Sequence, residues 1–100
     1  MKEVTVEELK EMQEKGEAFQ LIDVREPYEY DEANLGAELI PLGQIKDHVD
    51  QIKKDQKVIV HCRSGARSGQ AIQYLEKNHG FDNLYNLKGG ILAYQAADED

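Results

Sequence analysis

Cys62 is the single cysteine of the chain and opens the run Cys62-Arg63-Ser64-Gly65-Ala66-Arg67-Ser68. The β-branched run Val58-Ile59-Val60 lies just before it, and Gln70 to Lys77 reads as a helix after it. A thiol where a buried strand gives way to a helix faces free backbone N–H groups and the positive end of a helix dipole. Both a thiolate and an anionic substrate are stabilised in such a place. The chain has three arginines against nine lysines, and two of the three, Arg63 and Arg67, sit in this loop. A lone cysteine is most often an inert core residue. An inert residue has no use for two arginines, two serines and two glycines within the eight residues from Cys62 to Gly69. Small residues let successive amides converge on one point. The loop therefore reads as an anion cup, with Cys62 as nucleophile and Arg63, Ser64, Gly65, Ala66, Arg67 and Ser68 as its wall.

Other polar residues have plainer readings. His61 neighbours Cys62, but adjacent side chains on a strand point to opposite faces, so it is expected to be structural rather than a general base. Asp23 and Arg25 end a neighbouring strand. They read as an ion pair or cap, or, more sharply, Asp23 supports the cysteine loop by accepting backbone hydrogen bonds. Glu29, Asp31 and Glu32 read as a solvated helix face, and the five tyrosines as packing. Gly89-Gly90 marks a tight turn or close backbone approach. His48, His61 and His79 lack ligand spacing, and one cysteine cannot build a thiolate zinc site, so neither metal nor cofactor is expected.

The elements that must position the cup follow from pattern. Thr5 and Glu8 form a capping box ahead of Val6, Leu9 and Met12, and Gly16 stops that helix. Ala18 to Val24 is a short buried strand. Pro27 starts a helical turn over Tyr28 to Glu32. Ala37 to Ile40 is a short strand closed by Pro41. Ile45, Val49 and Ile52 predict an amphipathic helix. Lys57 to His61 is the strand before the cysteine, and the following helix ends at Gly80. Leu84 to Leu87 is the last strand and Gly90 to Ala97 the last helix, with residues 98–100 a frayed acidic tail. Alternating strands and helices predict an α/β domain, a central parallel sheet with helices on both faces. Ligands in such folds sit beyond the carboxyl ends of the strands.

Size and charge narrow the partners. One hundred residues make one domain, residues 1–100. A net charge of −8 argues against nucleic acid or an anionic membrane surface as partner. No apolar run has the length of a membrane span, and Met1 to Thr5 does not read as a signal peptide. A lone thiol suits a reducing cytoplasm.

Three stretches together resemble the rhodanese family of sulfurtransferases in its single-domain form. They are Leu21-Ile22-Asp23-Val24-Arg25-Glu26-Pro27-Tyr28-Glu29-Tyr30, then Val60 to Ser68, then Leu87-Lys88-Gly89-Gly90-Ile91. The likeness runs from about Val4 to Tyr94. It implies a thiosulfate sulfurtransferase in which Cys62 takes a sulfane sulfur from a small anionic donor and carries it as a persulfide. Cyanide, a thiol or a sulfur-accepting protein then removes it. The backbone of Arg63 to Ser68 would hold the persulfide anion, and Arg63 or Arg67 the donor's oxygens. The same fold serves cell-cycle phosphatases, which have five residues between the cysteine and the arginine. Four residues separate Cys62 from Arg67, a tighter cup. A phosphatase or arsenate reductase, and a non-catalytic binding module, are the alternatives. The chain departs from the family at Asn34-Leu35-Gly36-Ala37, which lacks the family's histidine and proline, and at Ile91, where tryptophan is frequent.

Overall fold

The computed structural model describes residues 1–98. Five parallel strands lie in the order β1 (Glu3–Val4), β5 (Leu84–Leu87), β4 (Lys57–His61), β2 (Phe19–Asp23), β3 (Glu38–Leu39). All the pairings are parallel, so each connection must cross a face of the sheet, and helices do the crossing. The longest ladder joins β2 and β4 and sets Asp23 beside His61.

Side chains alternate along the strands and divide the core in two. On one face Ile22, Val58, Val60 and Cys62 pack with Ile72 and Leu75 of α3 (Ala66–His79). On the other, Ile59 and Leu87 pack with Val6, Leu9 and Met12 of α1 (Val6–Glu14). The Thr5–Glu8 box forms in both directions, at 3.1 and 3.0 Å. α2 (Pro27–Glu32) begins at its proline, and α4 (Gly90–Asp98) follows β5.

Three expectations change. Residues 42–51 form 3-10 turns (Leu42–Gln51) with a kink at His48 (φ −126°), not an α-helix. Ile45 and Ile52 are buried there as their spacing requires, but the chain reaches that burial without a regular helix. β1 was invisible to the pattern because two residues carry no period; its pairing with β5 makes it a strand. Asp98 belongs to α4 and bonds the Lys10 ammonium rather than fraying, while Glu99 and Asp100 lie outside the described residues.

Candidate functional site: a cysteine cup at the end of β4

Cys62 is the first residue beyond β4, and 1% of it is exposed. Four local features bend the chain around its sulfur. Gly65, the N-cap of α3, adopts φ +114°, which a side chain would resist. Its N–H then points to Sγ at 3.1 Å. One turn into α3, the Ser68 hydroxyl lies 3.3 Å from Sγ. On the outer side the start of α4 grips the loop: the Ile91 and Leu92 amides donate to the Cys62 and Arg63 carbonyls at 3.0 and 3.2 Å. Gly90 makes this contact possible, because a Cβ there would sit 2.4 Å from the Arg63 carbonyl oxygen. The Gly89-Gly90 reading thus holds, and its close approach is to the cysteine loop itself.

Burial alone would push the Cys62 thiol up. Hydrogen bonding from the Ser68 hydroxyl and from the Ser68, Gly65 and Ser64 amides outweighs it, so the thiol lies below its ordinary value.

The two loop arginines part company. Arg67 is committed: its Nη1 and Nη2 donate to the two carboxylate oxygens of Glu29 at 2.6 and 2.9 Å. This bidentate contact is the largest influence on Glu29 and holds its carboxyl down at about 2, against some cost of burial. Glu29 is therefore not a solvated residue as the sequence suggests; it also accepts the Glu26 amide at 3.0 Å and ties α2 to α3. Arg63 is exposed and, among the described residues, its side chain has no hydrogen-bond or ion-pair partner. It borders a cavity of about 170 Å³ that Arg25, Glu29, Glu32, Ala33 and Ile91 also line. Ser64 and Ala66 are exposed at the rim.

Asp23 and Arg25 are built as an ion pair. Asp23 accepts the Arg25 amide at 3.0 Å and its guanidinium at 2.8–3.0 Å. Arg25 reaches on to the Ala33 carbonyl at 2.7 Å, closing the end of α2. Asp23 accepts nothing from the cysteine loop. The reason is the strand period: Asp23 and its register partner His61 face one side of the sheet, Cys62 the other. His61 is fully buried, its Nδ1 3.2 Å from the Cys62 carbonyl oxygen, and desolvation pushes its value down despite the nearby Asp23.

Two residues of the site have no local sequence signal of function. Glu29 meets Arg67 across 38 residues of chain. Asn86 interrupts the apolar strand Leu84–Leu87, and that interruption was the available clue. Its Oδ1 is 2.6 Å from the Ser68 hydroxyl and its Nδ2 donates to the Gly65 carbonyl at 3.0 Å.

A parallel α/β sheet thus delivers one thiol, lowered from its ordinary value, into a ring of converging amides. The chain belongs to the rhodanese family: the family profile described as Rhodanese-like domain matches residues 5–97. It is similar to the uncharacterized protein YqhL of Bacillus subtilis, with 46% identity over 92 residues, covering 91% of this chain and 70% of that protein. A sulfurtransferase of Allochromatium vinosum is 40% identical over 75 residues, covering 74% of this chain and 69% of its own length. The crystal structure of a rhodanese-like domain protein from Staphylococcus aureus superposes with a TM-score of 0.86 at 34% identity, covering 94% and 91% of the two chains. No helix among the described residues is long and apolar enough to cross a membrane.

Proposed function

We propose that the protein is a thiosulfate-type sulfurtransferase that works through a Cys62 persulfide. The observation that carries this is the cup: a buried Sγ with the Gly65 amide at 3.1 Å and a thiol below its ordinary value. The Cys62 thiolate attacks the outer sulfur of the donor. The new Sγ–S bond forms as the donor's S–S bond breaks, and sulfite leaves with the electron pair. A second nucleophile, cyanide or a thiolate, then attacks the outer sulfur, and Cys62 departs again as thiolate. Each step transfers a neutral sulfur atom, so no external oxidant or reductant is consumed. The expected kinetics are ping-pong.

The resting Arg67–Glu29 contact favours Arg63, the loop cation without a partner among the described residues, over Arg67 for the donor's oxygens. It also disfavours the phosphatase and arsenate reductase alternatives, which need the loop arginine for the oxyanion. Asp23 and Arg25 support the site from a distance by fixing α2, and with it Glu29. The cavity beside Arg63 is the place for the acceptor, a small thiol or the exposed cysteine of a partner protein. A single free thiol suits a reducing compartment such as the cytoplasm.

Intact mass before and after thiosulfate tests the reading. A gain of one sulfur atom, removed by cyanide and absent in Cys62→Ser, is expected. No gain, with turnover of p-nitrophenyl phosphate instead, would transfer the site to phosphate chemistry.

A further inference from the structure

Asn86 is a buried polar side chain that sulfur transfer as described does not use. It lies on β5 opposite Val60, on the sheet face that Cys62 shares. Its amide orientation is fixed by its partners, since only the nitrogen end can donate to the Gly65 carbonyl. The oxygen end therefore faces the Ser68 hydroxyl and must be an acceptor.

Ser68 has one hydroxyl proton and three acceptors within reach. They are Asn86 Oδ1 at 2.6 Å, the Gly65 carbonyl at 3.2 Å and Cys62 Sγ at 3.3 Å. The shortest contact takes the proton. The Gly65 carbonyl already accepts from Asn86 Nδ2 and from the Gly69 amide at 3.1 Å. In the resting thiol, then, Ser68 donates to Asn86 and offers the sulfur only lone pairs. When the sulfur becomes anionic, turning the hydroxyl toward it leaves Asn86 Oδ1 buried without a donor. That penalty offsets part of what the sulfur gains.

We propose that Asn86 is a positioning residue that moderates how tightly the cup holds negative sulfur, by competing with Cys62 for the Ser68 proton. The inference rests on the persulfide reading for its functional meaning. A cup that held the anion with every available donor would retain the sulfur it has to release. A thiol whose acidity lies near ambient pH is also the better attacking group. The three amides act regardless; the hydroxyl reaches the anion only by giving up Asn86 Oδ1.

Other charged groups near the cup bear on Cys62 but not on this proton. Arg67 on α3 is held by Glu29 of α2, and Arg63 stands at the exposed rim. His61, Asp23 and Arg25 occupy the opposite face of the sheet. The tyrosine of β5, Tyr85, also faces that side.

The test is the rate of Cys62 alkylation by iodoacetamide against pH, which reads the thiol whether or not it accepts sulfur. Asn86→Leu removes the competing oxygen and frees the Ser68 proton. The Gly65 carbonyl then competes as well, but a charge-assisted bond to thiolate prevails. The alkylation midpoint should fall by about half a pH unit, roughly threefold in acidity, with no such fall in a Ser68→Ala background. If Asn86→Leu does not fold, Asn86→Asp serves: its stronger acceptor should raise the midpoint, and by less once Ser68 is alanine. A midpoint unmoved by Asn86→Leu or raised by it, or either variant shifting equally in both backgrounds, overturns the proposal. If the alkylation cycle behaves as expected while thiosulfate adds no sulfur, the sulfur reading fails and the Asn86 assignment stands.

Discussion

Two polar clusters end neighbouring strands of the same sheet, and they use hydrogen bonds in opposite ways. At the end of β2, Asp23, Arg25 and the Ala33 carbonyl satisfy one another at 2.7–3.0 Å, with both side chains buried. At the end of β4, the donors of the loop converge on a single sulfur that one turn of chemistry can charge. The first cluster is closed, so its energy goes into holding α2. The second is open by design of the backbone, so its energy appears when an anion arrives. Burial by itself therefore does not mark function here; the direction in which the donors are left pointing does.

The contrast can be broken most completely at the open cluster. Cys62→Ser should fold and yet take up no sulfur, because an alkoxide is not available near neutral pH; intact mass after thiosulfate reads this directly. At the closed cluster the damage should be to stability instead. Arg25→Ala leaves Asp23 buried without its partner and should cost about 3–5 kcal/mol in urea denaturation. A variant as stable as the parent would mean that the pair is not sealed. Glu29→Gln joins the two regions. It weakens the hold on Arg67, and the released guanidinium should lower the KM for thiosulfate by roughly fivefold, about 1 kcal/mol. An unchanged KM would assign donor handling to Arg63 alone.

Acid should then act on the two regions with the same sign but in different pH ranges. Glu29 titrates at about 2 in the folded protein against 4.5 otherwise, so the stability its contact with Arg67 provides is full above 4.5 and is lost as pH falls toward 2. His61 is a base whose value is lowered from 6.5, so the unfolded chain binds the extra proton. Its effect is a loss of stability as pH falls below 6.5, and His61→Gln should flatten that part of the curve. The smallest expected change is in the cup: alkylation of the native thiol should have its midpoint below the free-thiol value of about 8.5.

The cup was legible because its parts are contiguous. Cys62, the two arginines and Gly65 lie within six residues, Cys62 to Arg67, and the flanking Lys57–His61 and Leu84–Leu87 strands follow from their apolar runs. What escaped depends on contacts between distant segments. Glu29 has the spacing of a solvated residue on a short helix, and only the docking of α3 beside α2 gives it Arg67. Asn86 needs the β4–β5 register to face Ser68. The 42–51 segment shows the converse: its apolar spacing marks the buried Ile45 and Ile52, yet ten residues kinked at His48 need no α-helix to bury them.

The grip of α4 on the loop sets a limit on how this site could change its trade. The Cys62 and Arg63 carbonyls are moored to the Ile91 and Leu92 amides, and the Gly65 carbonyl is moored to Asn86. The circumference of the ring is thus tied down on both sides of Ser64. A residue inserted beside Ser64 would have to be absorbed between these fixed carbonyls. A descendant able to surround a larger oxyanion would have to remodel the loop, β5 and the start of α4 together, so a change of chemistry here requires concerted steps rather than one.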